Sequence, residues 1–219
     1  MDPETKPLDL PIAPLNDGPP DVEQKDLDQL PKERPGDWHI EMRYLPIIDR
    51  GHAFLALVDP SGNVQRELHG LARSRATGRL VAMGQDGAHL VGVQSPGPYF
   101  DDPSGPARTI PITRVYSGDY DDVVRGKWRT GLQAAVDMNR KNLDYKGDDI
   151  SYEAGLNGGE IQNSNSANFS FGKPMHLDLS TAIRNKGLDR VFPGWGRDVL
   201  DQTYRPYVAP PMFPPNMAP

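Results

Sequence analysis

Proline placement sets the first limit on what this chain can fold into. Eight of its 23 prolines stand at positions 3, 7, 11, 14, 19, 20, 31 and 35, and six more stand after residue 204. Each removes a backbone donor and fixes φ, so neither end can sustain a helix interior or a central strand. Regular structure is expected in one domain spanning 37–203, flanked by Pro-rich arms at 1–36 and 204–219. Arms of this composition bury too little apolar surface to order alone. Leu8, Leu10, Ile12 and Leu15 suit an extended segment laid on a protein partner, a role open to both arms.

Charge and cysteine content narrow the function classes. A formal charge of -6 opposes broad attraction to phosphate backbones, so nucleic acid is not an expected partner. The chain has no cysteine, which excludes disulfides, thiolate zinc sites and thiol catalysis. No cofactor-binding or metal-ligating motif is recognised: Asp119, Asp121 and Asp122 suit helix capping, and with Asp148 and Asp149 they lack an EF-hand register. Met1 to Lys6 lack the basic and apolar regions of a signal peptide, and no apolar run approaches the ~20 residues of a membrane span. Cytoplasmic synthesis is the expectation, and export would require a signal-independent secretion system.

Between the arms the pattern first favours strands. Ile40, Met42 and Tyr44 alternate with polar residues, Ala53 to Val58 is a short apolar run, and Val64 to Leu71 alternates again after the turn Pro60-Ser61-Gly62-Asn63. A second hairpin is expected between Arg79–Met83 and His89–Val93, around the Asp86-Gly87 turn signal. Residues 95–113 carry five prolines and read as a loop. A helix is expected from Asp121, with Val124, Trp128, Leu132, Ala135 and Met138 on one stripe. The fold class is therefore α+β: an antiparallel sheet packed against one main helix and a short one.

Candidate chemistry concentrates at two places. If Asp59 pairs with Val64, Phe54 lies opposite His69 and His52 shares their face, so one histidine can serve as a general base and the other orient it. An edge histidine and a strand-end cap would give the same pattern. Downstream lies Gln162-Asn163-Ser164-Asn165-Ser166-Ala167-Asn168, which also suits a polar surface loop. Pro193-Gly194-Trp195-Gly196 reads as a tight turn anchored by an indole. Asp178, two residues after His176, forms a further polar pair.

The order of these features, Gly51-His52-Ala53-Phe54-Leu55, a returning strand, a helix and then Asn163-Ser164-Asn165-Ser166, resembles the circularly permuted papain-like (NlpC-type) superfamily. Serine here stands in the cysteine slot. The resemblance implies Ser164 as nucleophile, His52 as base and His69 as orienting group, with Asn163, Asn165, Ser166 and Trp195 as oxyanion or substrate contacts. It also implies an amidase, peptidase or acyltransferase acting on peptide, peptidoglycan or acyl substrates, in the setting of an exported bacterial effector. Serine is harder to ionise than cysteine, and Gly172-Lys173-Pro174 shortens the expected nucleophile helix. The alternative is an inactive papain-like scaffold that binds or assembles through its arms.

Overall fold

The alternating residues between Trp38 and Leu71 become three long neighbouring strands in the computed structural model, which describes residues 18–30, 35–47, 50–81, 87–100, 109–147, 161–188 and 192–201. Strands β1 (Asp37–Ile47), β2 (Arg50–Val58), β3 (Val64–Ser74), β4 (Ala88–Ser95) and β5 (Ile110–Asp119) form one antiparallel sheet in the order β4-β3-β2-β1-β5. One face carries Ile40, Met42, Ala53, Leu55, Leu57, Leu68 and Leu90 into the main core. Helix α1 (Arg125–Lys141), α2 (Ser164–Gly172) and the short α3 (Leu179–Asn185) share that core, so the α+β class expected from the sequence is the one observed.

Helix α1 follows a single π turn at Tyr120–Val124 and buries Trp128, Leu132, Ala135 and Met138, the stripe that the spacing defined. Gly131, a poor helix former, lies inside it. A Cβ there would lie 2.6 Å from Met175 Sδ, so the missing side chain admits the segment after α2. Two further glycines do the same for the sheet. Gly70 and Gly92 face each other across β3 and β4, and a Cβ on either would fall 2.3 Å from Ala167 Cβ of α2 or 2.7 Å from Ala135 Cβ of α1.

Three expectations are corrected. Among the described residues the second hairpin is not made: β4 pairs with β3 from Glu67↔Ser95 to Ser74↔Ala88, while Leu80 bridges Arg73. Strand β3 extends past its last pair with β2, Leu55↔Leu68, so residues after the turn can fold back beside it while its other edge takes β4. Residues 110–113 are strand, not loop. Pro111 is tolerated because β5 lies at the sheet edge.

The third correction concerns the N-terminal arm, whose later part is docked on its own domain. Val22, Leu27 and Leu30 are buried, Val22 N–H donates to Gly92 O at 2.8 Å, and Asn139 Nδ2 donates to Val22 O at 3.1 Å. A boundary at residue 36 therefore cuts through the folded unit. The remaining Pro-rich sequence, before Gly18 and after Asp201, lies outside the described residues, as do residues 82–86 of the expected turn and Asp148 and Asp149.

Gly70→Ala should lower the unfolding free energy by about 1–3 kcal/mol, since Ala167 and the Ser164 backbone leave no room. Gly126→Ala, with open space around its Cβ position, should be neutral or stabilise by up to ~1 kcal/mol. Urea unfolding of the two variants provides the comparison.

Candidate functional site

The Asn/Ser run forms the capped start of α2, and nearly every polar atom in it has a structural task. Asn163, in extended conformation, is the N-cap: its Oδ1 accepts from Asn165 N at 3.0 Å and Ser166 N at 3.2 Å. Ser166 Oγ accepts from Asn163 N at 2.7 Å, completing a reciprocal capping box. Asn163 Nδ2 and Asn165 Nδ2 both donate to Pro193 O, each at 3.1 Å. The two asparagines thus hold the Pro193-Gly194 turn, and Gly194 has φ 79° with Asn163 Oδ1 2.8 Å from its Cβ position.

Asn165 has a second task at the edge of β2. The β2–β3 ladder ends at Leu55↔Leu68, so Gly51 and Ala53 pair with β1 on one side but have no strand on the β3 side. Ala53 N–H donates to Asn165 Oδ1 at 2.9 Å, and Asn165 Nδ2 donates to Gly51 O at 3.0 Å. A side-chain amide thereby replaces a missing strand. The sequence showed a polar loop or an oxyanion group; the buried carboxamide instead satisfies backbone in another element.

Ser164 is 3% exposed and lies beside the Tyr145 hydroxyl. Burial raises the Tyr145 pKa above its ordinary value of 10.0, only partly offset by the nearby Ser164 donors, so the phenol keeps its proton at neutral pH. Tyr145 is positioned by an extra pairing along β4, where its N–H donates to Ala88 O at 3.0 Å. Nothing in the sequence spacing marked it as the neighbour of Ser164.

His52 and His69 meet as the hairpin register required, but on the other side of the sheet. His52 Nε2 lies 3.2 Å from His69 Nδ1, and the rings stack with centroids 5.4 Å apart. His69 Nε2 lies 3.1 Å from Glu67 Oε2, which also accepts from Tyr99 N at 2.7 Å. With both rings neutral, the bond pattern assigns His69 Nε2–H to Glu67 and His52 Nε2–H to His69 Nδ1. Phe54, Tyr99 and Phe100 enclose the pair. Glu67 escaped sequence reasoning, although its position two residues before His69 places both on one strand face.

The sheet separates these two groups. Gly70, adjacent to His69 on β3, faces Ser164 and Ala167, so His69 projects from the opposite face. Ala53 and Leu55 likewise enter the helix-side core while His52 and Phe54 face away. Among the described residues no hydrogen bond joins Ser164 to His52: Ser164 lies on the helix side against Gly70, and His52 is bonded to His69. The expected trio is thus brought together only as His52 with His69.

The remaining sequence candidates have packing or capping roles. Trp195 lies against Phe169 and Phe192 and donates Nε1–H to Ser180 Oγ at 3.3 Å. Asp178 caps α3, accepting from Thr181 N at 3.1 Å, rather than pairing with His176. Asn168 has no such role. It is fully buried, and among the described residues neither carboxamide atom has a hydrogen-bond partner.

Comparison with family models, curated proteins and solved structures finds no match. What defines the class is the fold itself, a five-stranded antiparallel sheet with helices on one face and a buried Glu–His–His chain on the other.

Asn165→Ala should destabilise the protein by about 2–4 kcal/mol, because two buried backbone groups lose their partner. Asn168→Leu should stabilise it by about 1–3 kcal/mol, since an unpartnered polar group is replaced by an apolar one of similar size. Burial, with the neighbouring His69 charge, holds the His52 pKa well below 6.5. Below pH 6.5 the unfolded chain then takes up a proton that the folded chain refuses, so stability falls with pH. The contribution is fully present above that value and is lost at up to about 1.4 kcal/mol per pH unit below it. In paired urea titrations, His52→Gln should remove this component.

Proposed function

We propose that this chain is a binding or assembly protein built on a papain-like α+β scaffold, with the nucleophile run kept as a structural clasp. The observation that carries this reading is the separation by the sheet of buried Ser164, on the helix face, from the His52–His69 pair on the other. A serine nucleophile needs its base within about 2.6–3.2 Å, or through one water. An amidase, peptidase or acyltransferase would need Ser164 to reach a base on the opposite face. The peptidoglycan substrate and the exported-effector setting belong to that hydrolase reading.

Partner contact falls to the Pro-rich sequence at the two ends of the chain. Residues 18–30 of the N-terminal arm already bind their own domain, which leaves the leucine-containing stretch before Gly18 and the stretch from Tyr204 onward. Among the described residues, no helix is long and apolar enough to cross a membrane.

A fluorophosphonate probe tests the reading, because it labels activated serines irreversibly. The full chain at neutral pH should give no labelling above that of Ser164→Ala. Labelling that disappears in both Ser164→Ala and His52→Ala would instead establish the serine hydrolase.

A further inference from the structure

The histidine pair is covered by a turn that has its anchors on the pair itself. Within residues 95–100, Tyr99 N–H donates to Glu67 Oε2 at 2.7 Å, and the Tyr99 ring lies edge-on to His69 at 5.8 Å. Phe100 lies 5.3 Å from His52 and 5.3 Å from His69, edge-on to both. Both Glu67 donors converge on Oε2, and among the described residues Oε1 has no hydrogen-bond partner. Glu67, His69 and Phe54 are all fully buried under this cover.

The His52–His69 contact limits how many protons the cluster can hold. A nitrogen-to-nitrogen bond of 3.2 Å requires a lone pair on one side. The pair can accept one proton and keep the bond, because His69 can donate to both Glu67 and His52. With a second proton both rings are cations, and two N–H groups point at each other.

Among the described residues, no carboxylate other than Glu67 is placed against the pair to relieve that second charge. By register, β1 places Leu45 opposite His52 and Arg43 beside it on the same face, and Arg50 precedes it on its own strand. His69 faces it from β3, with Glu67 behind and already bonded to His69. Phe54 and Phe100 supply apolar surface, and Tyr99 is the titratable group of the covering turn. Burial among the phenyl rings and the second imidazole disfavour another cation.

We propose that residues 95–100 form an acid-released cover over the histidine pair, opening when the His52–His69 contact takes up its second proton. Opening breaks the Tyr99–Glu67 bond, withdraws Phe100, and gives water access to His52, Phe54, His69 and Glu67. The α2 clasp and the helix-side core are untouched, because they lie across the sheet. This device is independent of whether Ser164 is a nucleophile. Coupling between cover and proton is reciprocal: the closed cover disfavours protonation, and protonation disfavours closure by the same free energy.

Two measurements on the full chain test it. In amide hydrogen exchange, protection of Tyr99 N–H, corrected for intrinsic pH dependence, should fall at least about tenfold between pH 7.5 and 5 while that of Leu55 N–H holds. Unchanged Tyr99 protection, or an equal loss at Leu55, overturns the proposal. In an NMR titration of the imidazoles, Phe100→Ala should raise the His52 pKa toward 6.5 relative to the parent, and an unchanged His52 titration overturns the proposal. His52→Gln, which retains a donor toward His69, should keep Tyr99 protected at pH 5. Loss of protection in that variant equal to the parent's also overturns it.

Discussion

The close approach of two helices to the sheet at Gly70 and Gly92 is the contact on which the rest of the structure depends. These residues face each other on β3 and β4, and together they leave a bare patch where Ala167 and Ala135 make backbone-level contact. Only at that distance can the α2 N-terminus reach the end of β2. Asn165 then completes the unpaired edge at Gly51 and Ala53, and the same residue with Asn163 ties down the Pro193 turn. Close packing transmits volume changes of one methyl group, so a substituent at Gly70 would disturb elements far apart in sequence.

The sheet also partitions the polar groups that a catalytic reading would combine. On the helix side the asparagines and serines of α2 are used almost completely for caps and cross-links. On the other side Glu67, His69 and His52 form their own buried chain under aromatic rings. Buried polar groups stabilise only when their partners are in place. Among the described residues Asn168 and Glu67 Oε1 lack such partners, so each side of the sheet holds a buried polar group that is not compensated.

Much of the sheet could be read from alternation alone. Period-two patterning placed β1, β2 and β3 and brought Phe54, His52 and His69 to one face, although the turn shifts by one residue to pair Val58 with Val64. The Trp128–Met138 stripe gave the face of α1. Strand β5 was hidden by Pro111, because a proline that forbids a central strand is acceptable at an edge. The docking of residues 18–30 was hidden because its partners, Gly92 and Asn139, lie far along the chain. In the candidate site, Ser164 and His52 were singled out from the sequence, while Tyr145 and Glu67 were not.

The sequence by itself determined β1 to β3, the stripe of the main helix and the shared face of the two histidines, because these follow from backbone periodicities that act over a few residues. It also determined the capping potential of Asn163 and Ser166, a local exchange of hydrogen bonds. Only the tertiary structure decided which face of the sheet the helices cover. That choice rests on contacts between distant residues, Gly70 with Ala167 and Gly92 with Ala135, and it put Ser164 and His52 on opposite sides of the sheet.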